Sequence, residues 1–504
     1  MTVYNFNQGI GWASSGVEYA QAYRAQIFRR LGVDAKFVFT DFISAENVAH
    51  YTAAIGFLDS EVIWLYQAFT DFPLTQTTFS LADLKATFTQ TVEREERSGQ
   101  TVTYSFAAPQ TWVKAYLGNA DGQTVLRAEY VQAGNLLHRD FYSSGRYMAE
   151  YYGPINGQAR LLKRCYYNQD GTVAYTEFLQ ADGTSLFQFP GQGLCTKADL
   201  ITFLMKKLNL QAGDVLLIDR GTGQAQQILE NKGPAKVGSI IHAEHFSPNN
   251  VSDDHILWNN YYEYVFDHSA DIDFFVTATS AQATLLVQQF AKYTDRQPQI
   301  VTIPVGSLNQ LHKPQTPRRP FSLITASRLA SEKHLDWLIK AVVAARRQFP
   351  QLSLDIYGEG GERAQLAQLI TNLQAQDYIH LQGHQDLTTV YQHYQAYASA
   401  STSEGFGLTL MEAVGSGLAM MGFDVRYGNQ TFIVPDQNGY LIPYGADTTS
   451  EQAVAGLTTA IIALFGKLDL MTAQTKSYQI AAEYLTPVIE AKWAKLLAGE
   501  EAHD

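Results

Sequence analysis

Two glutamates eight residues apart, Glu404 and Glu412, frame a glycine-rich turn in the segment SEGFGLTLMEAVGSG. Gly405 and Gly407 loosen the chain after an apolar run, and a helix is expected from about Leu408 with Glu412 on it. A strand-to-helix turn of this kind presents backbone N–H groups without intrahelical partners, which suit an anionic diphosphate. The carboxylates then have separate tasks: Glu404 in the loop near a sugar, Glu412 on the helix accepting from ribose hydroxyls. Taken alone, the segment is equally an ordinary connection with two incidental acids.

Cations of the right kind stand upstream. In TASRLASEKHLDWLIKA, Arg328 and Lys333 lie at the end of the apolar run FSLITASRL (321–329) and in the first turn of the helix expected after it. Ligands of open α/β sheets bind there, and an Arg–Lys pair neutralises a leaving diphosphate without a metal ion. A solvated basic loop is the plainer reading of that segment by itself. His384 and Gln385 follow Gly383 at the end of YIHLQG (378–383), where a backbone edge can read a base, with a helix expected in TVYQHYQAYA. His242 and His245 end the apolar run of SIIHAEHFS. No third ligand stands at a standard spacing, so zinc is rejected. His242 reads as a donor to a sugar or phosphate as readily as a core histidine.

The first glycine cluster, NQGIGWASSGVEYA, has Gly9, Gly11 and Gly16 at spacings that do not match G-x-G-x-x-G, and it lacks the P-loop Lys and Ser/Thr. Close approach of a phosphate to Gly16 and Val17 and a ligand-free tight turn stand level here.

The elements that must position these residues come in three textures. Residues 1–45 read strand, glycine turn, helix, strand. In that helix Val17, Ala20, Tyr23 or Arg24, Ile27 and Leu31 share a face, and Gly32 ends it. Residues 46–195 carry Asn-Gly, Asp-Gly and similar turns at Asp121-Gly122, Ala133-Gly134, Ser144-Gly145, Asn156-Gly157, Asp170-Gly171 and Asp182-Gly183. Such turns between aromatic and β-branched runs predict an antiparallel meander of hairpins. No motif recurs between its strands, so a solenoid is not expected. VEREERSG (92–99) reads as a solvated helix end. From residue 196 onward, nearly continuous apolar runs alternate with amphipathic helices, the pattern of parallel strands covered on both faces. PQTPRRP, Pro314 to Pro320, reads as a hinge. The expected fold class is α/β: two Rossmann-like domains with an antiparallel β-meander inserted in the first. The domains are 1–45 with 196–314, the insert 46–195, a second Rossmann-like domain 315–490, and a helix end and tail 491–504.

Composition narrows the partners. The chain has 504 residues, enough for about three domains, and 46% are apolar, enough for a sizeable core. Lys plus Arg number 36 against 49 Asp plus Glu, a net charge of -13, which disfavours a nucleic-acid partner. Cys165 and Cys195 are too few for a disulfide framework and favour a reducing cytosol. Neither a signal peptide nor an apolar run long enough to span a bilayer is visible.

Together, the E-x7-E pair of Glu404 and Glu412, the Arg328–Lys333 pair and the two α/β halves resemble a retaining GT-B glycosyltransferase of the GT4 kind. With the inserted meander, the chain is similar to the GtfA family of peptide O-GlcNAc transferase subunits that serve serine-rich repeat adhesins in an accessory secretion system. Wall teichoic acid α-GlcNAc transferases share the insertion. The resemblance implies that Gly16, Val17, Glu18 and Tyr19 touch UDP and that His242 faces the donor sugar. It also implies that Arg328 and Lys333 hold the diphosphate and that His384 and Gln385 sit at the uracil. Glu404, Gly405, Phe406 and Gly407 would cradle the sugar and Glu412 the ribose, with Glu404, His242, Arg328 and Lys333 as the catalytic set. One departure stands out: YGNQTFIV after Asp424 lacks the proline that relatives often carry after Tyr-Gly.

The implied reaction moves GlcNAc from UDP-GlcNAc to Ser/Thr of the adhesin with retention, the donor phosphate itself taking the acceptor proton. It needs no cofactor and no metal; UDP-glucose remains the other candidate donor. A homologous, catalytically silent GtfB-like subunit is the implied partner. The cytoplasm is the implied place, and peripheral attachment to the membrane's inner face is compatible. In the insert, Tyr151, Tyr152, Tyr166, Tyr167 and Tyr175 suit an acceptor peptide or that subunit, although core packing explains at least half of them equally well. Two rivals remain. A poly-ribitol phosphate transferase would need a basic groove, and Arg127, Arg139, Arg146, Arg160, Lys163 and Arg164 are too dispersed for one. A non-enzymatic GT-B-like chaperone subunit should have lost the donor-site residues, which are present.

Overall fold

The computed structural model describes residues 1–11, 16–43, 47–118 and 122–500. By internal contacts the chain divides into two compact units. One comprises Met1–Ala25, Gly32–Ser239 and Asn260–Asp273; the other comprises Gln26–Leu31, Ile240–Asn259 and Phe274–Asp504.

In the first unit, parallel strands run in the order Lys236–Ile241, Val215–Ile218, Thr2–Asn7, Asp34–Phe39, Val62–Trp64. The order reverses direction at Thr2–Asn7, so this strand and Val215–Ile218 bound a crevice at their carboxyl ends. The helix Gly16–Arg30, whose residues up to Ala25 belong to this unit, meets the sheet through Glu18 and Arg24, which bond Asn7 and Asn5. Its packed face includes Ala20, Arg24 and Ile27, settling the Tyr23-or-Arg24 alternative for Arg24, while Tyr23 is half-buried.

The same unit carries the antiparallel meander, ten strands from Arg94–Ser98 to Leu194–Cys195, each beside its neighbour in sequence. Left-handed backbone at Ala133-Gly134 and Asn156-Gly157, with φ of 48° and 76° and of 52° and 76°, closes two of its hairpins. Segment 92–99 corrects the expectation of a helix end, because Arg94–Ser98 is the edge strand, exposed along its whole length. Gly99, at φ 56°, turns it against Thr101–Ser105, and charges on an open edge discourage pairing with another chain.

Across the middle of the meander, oppositely charged residues face each other strand after strand: Lys114 opposite Glu129, Glu129 opposite Arg139, Arg139 opposite Glu150, Glu150 opposite Arg164, and Arg164 opposite Glu177. Arg164 lies 3.0 Å from Glu150 and 3.1 Å from Glu177, and all three are buried. Such a row fixes register, because a slip by one residue would bury these charges without partners. Of the five tyrosines for which a peptide or partner surface and core packing stood level, Tyr166, Tyr167 and Tyr175 are buried in the core. Tyr166 and Tyr175 stack at 4.3 Å between ring centres and Tyr175 lies 4.9 Å from Phe189, so their large apolar area closes the core. Tyr151 and Tyr152 are half-buried.

The second unit holds a six-stranded parallel sheet in the order Ile379–Gly383, Ser353–Tyr357, Ser322–Ala326, Ala396–Ser399, Ala419–Phe423, Gly439–Ile442. Leu323 and Ile324 are successive residues of one strand yet belong to different apolar clusters, one on each face. The helix expected in TVYQHYQAYA is reduced to a single turn, Tyr391–His393. Tyr391 and Tyr394 are pulled inward there, their hydroxyls donating to Glu412 and Asp355. Among the described residues no single helix is long and apolar enough to cross a membrane. Ser450–Gly466 and Leu470–Ala482 pass that test only as a pair bent by 108°, and they contribute Leu457, Ile461, Leu464 and Ala473 to the core.

Candidate functional site

The order of the second sheet reverses between Ser322–Ala326 and Ala396–Ser399, and the chemistry-bearing segments leave the sheet there. Arg328 and Lys333 follow the first of these strands; Glu404 follows the second. The Lys333 ammonium lies 2.9 Å from Oε2 of Glu404, with both side chains largely buried. Arg328 turns instead to Glu332, 3.0 Å away on the surface.

Glycine is required in the Glu404 loop for measurable reasons. A Cβ on Gly405 would sit 2.4 Å from the carbonyl oxygen of His242, and Gly407 has φ of 84°. Both positions exclude an ordinary side chain without movement of backbone. Phe406 points into the core against Phe432 and Tyr484, which leaves only its backbone to face the loop. Helix Leu408–Gly415 starts directly at Gly407, and Glu412 on it accepts from the Tyr391 hydroxyl at 3.0 Å. His384 and Gln385 are exposed just beyond Ile379–Gly383, with Gln385 Nε2 donating to the Gln382 carbonyl.

His242 is half-buried just past Lys236–Ile241, its carbonyl against Gly405. His245 is buried among protein partners: Nε2 lies 2.6 Å from Gln289 Oε1, and Nδ1 is 3.3 Å from the Tyr427 hydroxyl. Burial pushes its pKa down to about 4, so the ring is neutral near pH 7. Among the described residues no three His, Cys, Asp or Glu side chains gather as metal ligands.

Several residues near these groups escaped the sequence reading. Glu244 accepts from the Tyr427 hydroxyl and lies 3.3 Å from Arg426, and burial raises its carboxyl above the usual range despite both partners. Tyr427 and Gly428 donate their backbone N–H groups to the Glu404 carbonyl at 2.7 and 2.9 Å. Gly428 is needed at that point because a Cβ would fall 2.2 Å from the Phe406 carbonyl. No spacing rule announces such partners, 23 residues along the chain from Glu404 in the case of Tyr427.

In the first unit, Gly16 opens the helix, Val17 and Tyr19 are half-buried, and Glu18 is buried. Residues 12–15 of the glycine turn lie outside the described residues. Glu18 accepts from Asn7 Nδ2 at 3.0 Å and pairs with Arg220 at 3.3 Å, while Gln21 and Arg24 both donate to Asp219. The signal was available: Glu18, Gln21 and Arg24, three residues apart, put polar groups on the helix's packed face beside the carboxyl ends of Thr2–Asn7 and Val215–Ile218.

Two family models match the chain: the GtfA extended beta-sheet domain over residues 94–191, and glycosyl transferases group 1 over residues 308–460. The UDP-N-acetylglucosamine–peptide N-acetylglucosaminyltransferase GtfA subunit of Streptococcus gordonii is 51% identical over 497 residues, 99% of this chain and 98% of that one. The chain belongs to the GtfA family. The GtfA subunit of Streptococcus pneumoniae serotype 4 is 47% identical over the full length of both. The crystal structure of the pneumococcal O-GlcNAc transferase GtfA in complex with UDP and GlcNAc matches with a TM-score of 0.95 at 47% identity, over 100% of this chain and 99% of that one. That of a GtfA/B complex matches at 0.91 and 50%, over 99% of each chain. The fold is therefore GT-B with the antiparallel sheet inserted in the N-terminal part, as this GtfA family has it.

Proposed function

We propose that this chain transfers GlcNAc from UDP-GlcNAc to Ser/Thr hydroxyls of a serine-rich repeat adhesin with retention of configuration, the first step of its O-glycosylation. The observation that carries the reading is the Lys333–Glu404 pair at the reversal point of a nucleotide-type sheet, in a chain 51% identical to a peptide N-acetylglucosaminyltransferase subunit. Lys333 and Arg328 hold the diphosphate, and their positive charge stabilises the leaving UDP as the bond from the sugar's C1 to phosphate breaks. The acceptor oxygen bonds to C1 on the same face, and its proton passes to the departing phosphate. Glu404 and the N–H groups of Gly405, Phe406 and Gly407 orient the sugar, with His242 on its other side. Glu412 takes the ribose, and His384 and Gln385 the uracil; Gly16, Val17, Glu18 and Tyr19 are the UDP-binding residues proposed for the first unit.

The domains follow the same reading: 1–45 with 196–314 on the acceptor side, 46–195 as the insert and 315–490 for the nucleotide. A GtfB-like subunit is the proposed partner, supported by the match to the GtfA/B complex, and the cytoplasm the proposed place.

The test is transfer of radiolabelled sugar from UDP-GlcNAc or UDP-glucose to a Ser/Thr-rich repeat peptide, with and without the partner subunit. Transfer of GlcNAc is expected. Labelling of poly-ribitol phosphate with none of the peptide would replace the reading with a teichoic acid transferase.

A further inference from the structure

The Glu404 loop is held from two sides, and the two sides are tied to each other. On one side Gly405 lies against the His242 carbonyl. On the other, the N–H groups of Tyr427 and Gly428 converge on the Glu404 carbonyl, while the Glu404 N–H reaches back to the Arg426 carbonyl at 3.4 Å. Because a trans peptide points its C=O and N–H in opposite directions, capturing the Glu404 carbonyl also fixes where the Gly405 N–H points. The tie is made by side chains. The Tyr427 ring is 1% exposed, its hydroxyl donates to Glu244, and Arg426 lies 3.3 Å from the same carboxylate and over the Phe246 ring. His245, fixed by Gln289, backs the Tyr427 hydroxyl.

We infer that Glu244 and Tyr427 are positioning residues that set the loop carrying Glu404 for the chemical step. The inference rests on the reading of Glu404 as the group that orients the donor sugar. Neither residue is assigned a contact with UDP or sugar. Their effect runs through the hydrogen bonds of 427 and 428 to the Glu404 carbonyl and so through the direction of the Glu404 carboxylate and the Gly405 N–H. A displacement of about 1 Å in such a loop costs up to about a hundredfold in rate. Lys333 meets Glu404 through its side chain alone, and it and Glu412 are carried on elements of their own, so nucleotide binding should change far less than kcat.

The experiment compares Tyr427→Phe, Glu244→Ala, Glu244→Gln and the Tyr427→Phe/Glu244→Ala double variant of the full chain. It measures kcat and KM for UDP-GlcNAc, UDP affinity by calorimetry, and thermal unfolding. Tyr427→Phe and Glu244→Ala are each expected to lower kcat about tenfold, with KM and UDP affinity within about threefold. The double variant should be no worse than either single one, because both break the same tie. Glu244→Gln should recover much of the loss, since its amide oxygen still accepts from Tyr427. Unchanged kcat in Tyr427→Phe, additive losses, or UDP affinity falling in step with kcat would overturn the inference. Glu404→Gln is run alongside. If it keeps full activity, the reading of the site itself fails; if it is inactive while Tyr427→Phe behaves as wild type, only the positioning role does.

Discussion

Lys333 and Glu404, 71 residues apart in sequence, meet at 2.9 Å where the six-stranded sheet reverses its order. Each comes from a strand on its own side of the reversal, so the pair forms only when both crossovers are in place. Lys333→Ala would remove the cation proposed for the leaving diphosphate and leave the Glu404 carboxylate without that partner. A fall of about 10²-fold or more in kcat/KM for UDP-GlcNAc is expected, the scale on which loss of one charge-stabilising group acts. Activity within threefold of wild type in steady-state assays would remove Lys333 from the mechanism.

Gly405→Ala tests the loop by volume instead of charge. The added methyl would stand 2.4 Å from the His242 carbonyl oxygen, and backbone on one side or the other must move. Transfer should drop about 10- to 100-fold while circular dichroism stays that of the folded protein. An alanine variant with wild-type turnover would show that the loop tolerates a shift of that size.

Much of this was readable in advance, and the misses have physical causes. Parallel strands such as Ser322–Ala326 and Ala419–Phe423 are apolar on both faces, and the hairpins were marked by Asn-Gly and Ala-Gly at left-handed positions. Arg94–Ser98 was misread because an edge strand exposed along its length has no apolar alternation to show. The segment after Gln385 was read as helix because its tyrosines fall at helical spacing, whereas the pull of Glu412 and Asp355 on Tyr391 and Tyr394 is a tertiary matter. For Tyr166 and Tyr175 the sequence leaves binding surface and core open for a similar reason: alternation places them on one face, and the packing of Tyr66 and Phe189 shows that face is covered. For Glu404 and Lys333, residue type and spacing mark two segments that the fold brings within 2.9 Å of each other. Glu244 and Tyr427 carry no local mark, since their role depends on two loops meeting in space.

The charged row of the meander predicts an asymmetric response to substitution. Arg164→Ala would leave Glu150 and Glu177 facing each other across a buried gap, at a cost of about 3–5 kcal/mol. Glu177→Gln should cost less, because its one side-chain oxygen, placed where Oε1 stands, still accepts from Arg164 and Ser185, while its amide NH2 faces the Tyr166 hydroxyl, which can accept. Arg160→Ala serves as the control: this exposed side chain reaches the Ala181 carbonyl, and its loss should stay within about 0.5 kcal/mol. Urea denaturation of the three variants ranks them. An Arg164→Ala protein as stable as the control would mean the row contributes register without stability.

Acid should expose opposed contributions within the meander. Burial, with Arg146 adding to it, pushes His138 down to about 4, while burial pushes Asp140 up to about 6 against the pull of Arg146 and Tyr142. Between about pH 6.5 and 4 the unfolded chain takes a proton at the His138 position that the folded chain refuses, so this histidine's contribution is lost as pH falls. Asp140 works the other way. From about pH 6 down to about 4 the folded chain holds a proton that the unfolded chain has released, so acidification favours the fold. The two groups lie 3.8 Å apart and offset each other, whereas His245, also held near 4 by burial, adds a second loss that is opposed in part by its neighbour Glu244, whose carboxyl burial raises above the usual range. Wild type should therefore lose thermal stability from pH 6.5 to 4.5. Asp140→Asn should steepen that loss, since it removes a term that grows with acid, and at pH 7.5 it should melt no lower than wild type. Melting temperatures at pH 7.5, 6.5, 5.5 and 4.5 decide the matter: parallel curves for the two proteins would show that Asp140 titrates alike in the folded and unfolded chain.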